Sequence, residues 1–279
     1  MPDGTLCFIG AIMKIVHFSD PHAGGGAEDW MAYFDKRWVG VFNYHFRRRF
    51  KHDLSKLEKA VDYILDTKPD VAVCTGDLTS AGQPGEFAKV FEVLKRLRDS
   101  DIPLIYMPGN HDCYVRRPRC VKAVHDAVEY LSKGERRFSE YPQAVNIKEA
   151  RFLLVNTSAP SNLLCSWGFM TDKNVQWLKK ECEQPANGMT RILLSHYPMY
   201  EDHPFLRMRH RLFGQKEVVE LIENNAISLS LCGHVHKPYF RTNSDSRVLE
   251  ECSGSVTRNG SMVEITLENG NFNFETITL

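Results

Sequence analysis

The sequence predicts an α/β fold, and three observations carry that expectation. Short apolar runs alternate with stretches whose apolar residues recur every three or four positions, as strands alternating with amphipathic helices do. Five of the runs break off into polar clusters rich in histidine, aspartate and asparagine. An open sheet delivers side chains to a cleft in this way, at the carboxyl ends of its strands. Near the carboxyl terminus, two strand-like stretches flank Asn269-Gly270, a hairpin signal.

Taken in order, Lys14–Ser19 is the first strand, ending at Asp20-Pro21-His22 and a Gly24-Gly25-Gly26 loop. Asp53 is an N-cap for a helix whose face is Leu54, Leu57, Val61, Ile64 and Leu65, and which stops at Lys68-Pro69. Val71–Thr75 is a second strand, ending at Gly76-Asp77, and a helix over Glu86–Arg98 follows. The run Ile102–Met107 delivers Pro108-Gly109-Asn110-His111-Asp112. Beyond it come a helix over Arg119–Leu131, a strand at Phe152–Val155 and a helix over Asp172–Glu183. Ile192–Ser195 ends at His196. After a helix over Gln215–Asn224, Ile227–Cys232 ends at Gly233-His234-Val235-His236. Met262–Leu267 and Phe272–Leu279 form the hairpin. No repeat or linker divides the chain, so residues 13–279 are expected to be one domain, with residues 28–52 inserted and 1–12 as a leader extension.

Composition narrows the classes. With 43% hydrophobic and 25% charged residues, a sizeable core is available and disorder is not expected. Formal net charge is zero and no nucleic-acid reading module is recognisable, which disfavours a nucleic-acid partner. The eight cysteines are scattered without a CxxC pair, which predicts a reducing, cytoplasmic setting. Leu6–Ile12 is apolar but short and lacks a basic flank, unlike a signal peptide. No run approaches the roughly 20 apolar residues that span a bilayer.

The chemistry lies at the strand ends: Asp20 and His22; Asp77; Asn110, His111 and Asp112; His196; and His234 and His236. Residues two apart in extended backbone point the same way, so Asp20 with His22, and His234 with His236, can each aim into one cleft. Any one of these clusters alone is more often a turn, a cap or a satisfied core histidine. All five at strand ends make a metal centre the better account. Imidazole, carboxylate and amide oxygen without thiolate suit manganese, iron or zinc.

The ordered set D-x-H, G-D, G-N-H-D, S-H and G-H-V-H resembles the calcineurin-like metallophosphoesterases over residues 14–240. The resemblance implies a four-layer αββα sandwich of two mixed β-sheets and two divalent metal ions. It implies that Asp20, His22 and His236 hold one metal, that Asn110, His196 and His234 hold the other, and that Asp77 bridges them. His111 would protonate the leaving oxygen or stabilise charge on phosphorus, with Asp112 orienting it. The implied activity is hydrolysis of a phosphodiester or pyrophosphate by a hydroxide held between the metals.

The surrounding sequence speaks to substrate. Within Lys36–His52, a helix would align Trp38, Val41, Phe42, Phe46 and Phe50 in one stripe, with Arg37, Arg47, Arg48 and Lys51 mostly off it. That is the make-up of an interfacial amphipathic helix, or of a surface helix packing its stripe on the core. Arg116-Arg117-Pro118-Arg119 and residues 205–213 mix arginine with apolar residues in the same way. Asn110, His111, Arg116 and Arg117 are thus expected to bind an anionic, partly apolar substrate. Residues 36–52 and 205–213 would give peripheral contact with the inner membrane face. The segment also resembles membrane-associated bacterial members of the family, including a type that cleaves UDP-diacylglucosamine. That type carries arginine where this chain has His111. The alternatives are a soluble 3',5'-cyclic nucleotide phosphodiesterase and, from another class, a metal-dependent scaffold without turnover.

Overall fold

The computed structural model describes residues 12–160, 165–200 and 210–279. In the first of its two main sheets, β1 (Met13–Phe18), β2 (Val71–Cys74) and β3 (Leu104–Tyr106) run parallel. The hairpin strands β12 (Ser261–Glu268) and β13 (Asn271–Thr278) add to β1 antiparallel, in the order β13-β12-β1-β2-β3. In the second, β5 (Ala150–Leu154), β7 (Thr190–Leu194), β9 (Leu229–Cys232) and β11 (Val248–Cys252) are parallel neighbours. Antiparallel strands β4 (Gln143–Ile147) and β10 (Tyr239–Thr242) form its edges. Two-residue strands β6 (Gly168–Phe169) and β8 (Leu212–Phe213) pair separately.

Alternation along the strands of the second sheet divides the core. Phe152, Leu154, Ile192, Leu194, Leu229 and Leu231 join a large cluster with the strands of the first sheet. Leu153 and Leu193 point the other way, onto Val175 and Leu178 of α5 (Asp172–Glu183) and Val218 and Ile222 of α6 (Lys216–Glu223). On the far side of the first sheet lie α2 (Leu54–Thr67), α3 (Pro84–Asp99) and α4 (Pro118–Leu131), neighbours in that order. The result is the four-layer sandwich of two mixed sheets. Burying an apolar side chain the size of Leu57, Ile64 or Leu94 stabilises by about 1.5–3 kcal/mol, so the layers hold by many such contributions.

Local chemistry explains the element ends. Asp53 accepts from Ser55 N at 2.9 Å and starts α2, which ends at Lys68 in a left-handed conformation with φ 47°. A reciprocal capping box between Gln83 and Glu86 starts α3 two residues before its expected first residue. Sequence reading misses the edge strands β4 and β10, the two-residue strands β6 and β8, and, inside the second sheet, β11. Its Glu250 and Glu251 are fully buried, one accepting from Met199 N, Tyr200 N and Tyr239 Oη, the other paired with His17 of β1 across the two sheets. A Glu-Glu pair ordinarily marks a solvated stretch, so no periodicity points to a buried strand here.

The inserted segment departs from one of the two expectations for its stripe, that of packing on the core. Helix α1 (Arg37–Phe46) and a 3-10 turn at Arg48–Phe50 form, but α1 buries Arg37, Gly40 and Val41. Trp38, Phe42, Phe46 and Phe50 are 47–72% exposed, so the stripe, Val41 apart, does not pack on the core. Within the segment Arg37 forks onto Asp29 and Asp35 at 2.7–3.0 Å, and Asp35 in turn accepts from Arg117, outside it, at 2.9 Å. The expected leader extension lies outside the described residues except for Ile12, and so do residues 205–209. Of the remainder of that second basic-apolar segment, Leu212 is buried and Phe213 stacks on Phe169.

Candidate metal centre

All the expected donor residues follow carboxyl ends of parallel strands. Past β1 and β2 the pairing continues through Asp20 N to Gly76 O at 3.0 Å and His22 N to Asp77 O at 2.9 Å, laying the D-x-H and G-D turns side by side. Gly233 N donates to His196 O at 3.0 Å and does the same for the loops of the second sheet. Asp20, His22, Asp77, His234 and His236 all have φ between 50° and 69°. Such left-handed backbone costs non-glycine residues about 1–3 kcal/mol each and persists where surrounding contacts over-determine it. Gly109 is needed for a different reason. A Cβ there would lie 2.2 Å from Asp77 Oδ1 and 2.4 Å from Asp77 N.

These turns gather two sets of donors. Ligand-capable atoms of Asp20, His22, Asp77 and His236 lie within 4.8 Å of one another, and so do those of Asp77, His196 and His234, with Asp77 common to both. Asn110 joins the second set, its Oδ1 3.1 Å from His196 Nε2. One oxygen of each carboxylate is held by backbone: Asp20 Oδ2 accepts from His234 N at 3.0 Å, and Asp77 Oδ1 from His111 N at 2.7 Å. The other oxygens, Asp20 Oδ1 and Asp77 Oδ2, are buried and accept no hydrogen bond. Asp20 Oδ1 lies 3.1 Å from His236 Nε2, and Asp77 Oδ2 lies 3.4 Å from His196 Nε2. His22 Nε2 and His236 Nε2 are 2.8 Å apart.

The far side of the rings fixes which nitrogen faces inward. His22 Nδ1 lies 3.1 Å from Thr79 O and His196 Nδ1 2.7 Å from Thr75 O. Each donates its Nδ1 proton to a carbonyl, the usual outer support of a ligating histidine, and so turns Nε2 toward the carboxylates. Burial holds the His22 imidazole down to about 4, with Arg48 adding to the effect, so it is neutral at pH 7. For His196 burial acts in the same direction but Asp77 outweighs it and lifts the ring to about 9. Burial also opposes ionisation of Asp20, yet His236 and His22 hold that carboxyl well below the usual range. Carboxylate oxygens without a hydrogen-bond donor, converging with imidazole Nε2 atoms, are a donor set that fits two divalent cations of the manganese, iron or zinc type.

The remaining expected residues fall differently. Asp112 does not touch the His111 ring. Its oxygens accept from Leu78 N, Thr79 N, Thr79 Oγ1, Tyr106 Oη and Gly109 N at 2.7–3.2 Å, tying the two loops together. His111 is oriented instead by Ser80 O, 2.7 Å from Nδ1, and by Arg48 Nη2, 2.9 Å from Nε2. Burial, then Arg48, keeps the His111 imidazole well below its ordinary value. Arg117 donates to Asp35 Oδ2 at 2.9 Å and Arg116 is exposed; both line a cavity with Lys36 and with Tyr114, whose ring stacks on that of His111 at 5.1 Å. Sequence reading missed Arg48 and His52 as site residues. The His52 ring centre is 5.0 Å from that of His22, and its Nδ1 is 2.8 Å from Thr257 Oγ1. Both come from the inserted segment, where nothing in the spacing separates inward from outward cations.

Residues 13–238 match the family model of the calcineurin-like phosphoesterases. The chain belongs to that family. It is 27% identical over 173 residues to a 3',5'-cyclic-nucleotide phosphodiesterase of Nostoc sp., covering 62% of this chain and 58% of the relative. It is also 27% identical over 140 residues to a glycerophosphodiester phosphodiesterase of Enterobacter lignolyticus, covering 48% and 44%. The chain therefore spans about half the length of these relatives. Among solved structures, a dimetal phosphatase from Danio rerio superposes with TM-score 0.62 at 14% identity, covering 95% of this chain and 98% of that one. A protein of Thermus thermophilus does so with TM-score 0.57 at 15% identity, covering 96% and 99%. At these identities the likeness is one of fold.

Proposed function

We propose that this protein is a two-metal phosphoester hydrolase that cleaves a phosphodiester or pyrophosphate bond in a lipid-linked substrate, of the UDP-diacylglucosamine kind, at a membrane surface. Membership of the family and the convergent, unpaired donors support the hydrolase. Asp20, His22 and His236 would hold one cation and Asn110, His196 and His234 the other, with Asp77 shared. Such ions supply Lewis-acid charge and lower the pKa of a nucleophilic water. The chain supplies position. Backbone amides aim the carboxylates, carbonyls set the imidazole tautomers, and His111 and Arg48 line the approach to phosphorus.

One observation carries the lipid part. Trp30, Tyr33, Phe34, Trp38, Phe42, Phe46 and Phe50 are exposed by 47–75% on one inserted segment, whose Arg47, Arg49 and Lys51 are exposed as well. Aromatic side chains gain about 1.5–3 kcal/mol each when fully buried, and basic residues about 1 kcal/mol each beside an anionic leaflet. A cavity of about 650 Å³ runs beneath the segment, lined by His22 and His52 at one side and Arg49, Phe50 and Lys51 at another. A lipid anchor lying against the aromatics would leave its phosphate near the donors. No helix among the described residues is long and apolar enough to cross a membrane, so contact would be peripheral.

A second reading, a cyclic-nucleotide phosphodiesterase, is favoured by the names of relatives from Nostoc and, at 24% identity, from Rhodococcus erythropolis. The discriminating experiment is a panel of chromogenic diesters, cyclic nucleotides and nucleotide-linked lipids, offered to manganese-loaded protein with and without phosphatidylglycerol vesicles. The lipid reading expects the nucleotide-linked lipid to be turned over best and the protein to sediment with vesicles, less so after Trp38→Ser with Phe42→Ser. Preference for cyclic nucleotides without vesicle binding overturns it. Metal uptake without turnover of any ester would make the chain a scaffold.

A further inference from the structure

The inserted segment sends Arg48 inward to the donors, where its place beside the approach to phosphorus leaves its own task open. Arg48 sits in the 3-10 turn after α1, and its guanidinium reaches the donors from the opposite wall. Nη2 lies 2.9 Å from His111 Nε2, while Nη1 lies 3.3 Å from His111 Nδ1, 3.4 Å from His22 Nδ1 and 3.5 Å from Ser80 O. Tautomers sort these contacts. His111 Nδ1 and His22 Nδ1 carry the protons given to Ser80 O and Thr79 O, so neither can accept from Nη1. Only His111 Nε2 is a well-placed acceptor, with Ser80 O a long one. A guanidinium has five N–H groups, so most of the fork is left without a strong acceptor.

The contrast with Arg37 is informative. That side chain, from the same segment, is saturated by two carboxylates. Among the described residues Arg48 has no carboxylate within ion-pair distance; its contacts are two imidazoles and one carbonyl. A partly buried cation with an open fork, beside donors suited to two further cations, lacks an anion. Two carboxylates, Asp20 and Asp77, do not neutralise two divalent ions, so the loaded site has room for more negative charge. Planar N–H forks match phosphoryl oxygens in geometry and charge.

We propose that Arg48 is a phosphate-binding residue of this site: its guanidinium, steadied by the lone pair of His111, forks onto non-bridging oxygens of the phosphoryl group. The inference rests on the phosphoester reading above and adds to it the residue that recognises the anion. His111 is then a positioning residue for Arg48. The insertion has two faces with two tasks, aromatics outward and one guanidinium inward.

Inorganic phosphate is the probe. It is titrated calorimetrically into manganese-loaded wild type, Arg48→Lys and Arg48→Gln, with bound metal measured by elemental analysis and folding by thermal unfolding. A hydrogen bond to a charged group corresponds to about a 10- to 100-fold change in affinity, so Arg48→Gln should weaken phosphate binding by that factor. Arg48→Lys should fall between it and wild type, with metal content unchanged in both. With a chromogenic diester the conservative variant should show a raised KM before a lowered kcat. Phosphate affinity within twofold of wild type in Arg48→Gln overturns the proposal. So does loss of phosphate binding in step with loss of metal, which would make Arg48 a support for His22. If no variant, nor wild type, hydrolyses any ester while phosphate binding still depends on Arg48, the hydrolase reading falls and this one stands.

Discussion

Gly109→Ala tests the construction of the site without replacing any donor. The added methyl would sit 2.2 Å from Asp77 Oδ1, 2.4 Å from Asp77 N and 2.8 Å from Asp77 Cγ, where ordinary contact begins at 3.4 Å. Two of the three obstructing atoms belong to the Asp77 carboxylate, and the third is backbone that cannot swing away. Relief therefore needs a separation of about 1 Å between the loops after β2 and β3. Overpacking of this kind costs about 1–3 kcal/mol. The same movement strains the 2.7 Å bond from His111 N to Asp77 Oδ1, a charge-assisted bond worth about 1.5–3 kcal/mol. If the two add, the carboxylate common to both donor sets loses its aim at a cost of roughly 3–5 kcal/mol. Manganese affinity should then fall by at least about 100-fold. Thermal unfolding of the metal-free protein should drop by about 2–12 °C, at about 2–4 °C per kcal/mol for the overpacking part alone. Calorimetric metal titration beside differential scanning calorimetry reads both. Unchanged metal affinity with an unchanged melting temperature would refute the claim that close approach of Gly109 positions Asp77.

Two further perturbations probe the frame around the site. Glu86 is pushed up to about 7 by burial, and its Oε2 accepts from Ala81 N at 2.8 Å and Gln83 N at 3.2 Å. A carboxyl raised on folding holds its proton more tightly in the folded state, so its contribution weakens folding as pH rises from about 4.5 to about 7. Glu86→Gln keeps an acceptor for both amides and cannot ionise. It should match wild type near pH 4.5 and be about 1–3 kcal/mol more stable at pH 8 by urea unfolding, whereas parallel pH curves would contradict this. Arg37→Ala leaves Asp29 and Asp35, which are partly exposed, without their shared fork; a loss of about 2–3 kcal/mol is expected. Limited proteolysis should then cut first within residues 28–52, and a wild-type digestion pattern would show that the fork does not hold the segment's own shape.

Periodicity and strand-end chemistry made most of the fold legible. The helices α2, α4 and α5 and the parallel strands other than β11 carry a one-sided or largely apolar pattern, and hydrophobic burial is what those patterns encode. The donors were legible for a related reason: each follows directly on such a strand, so finding the strand also finds the residue at its end. What escaped was decided by contacts distant in sequence. Glu250 and Glu251 are buried because amides, a tyrosine and His17 come to meet them, and β11 is invisible without those partners. Arg37 and Arg48 stand eleven positions apart among similar cations, and only the placement of Asp29, Asp35 and His111 turns them inward. Asp112 was expected to orient an imidazole, but five donors from neighbouring loops occupy its oxygens first.

The most direct test of the paired-cation centre is anomalous scattering from crystals grown with manganese, collected for wild type and for Asp77→Asn. Two peaks on either side of the Asp77 carboxylate are predicted in wild type, one beside Asp20, His22 and His236 and one beside Asn110, His196 and His234. Asp77→Asn should weaken both peaks together. A single peak, no peak, or two peaks that survive loss of the shared carboxylate undiminished would contradict the account.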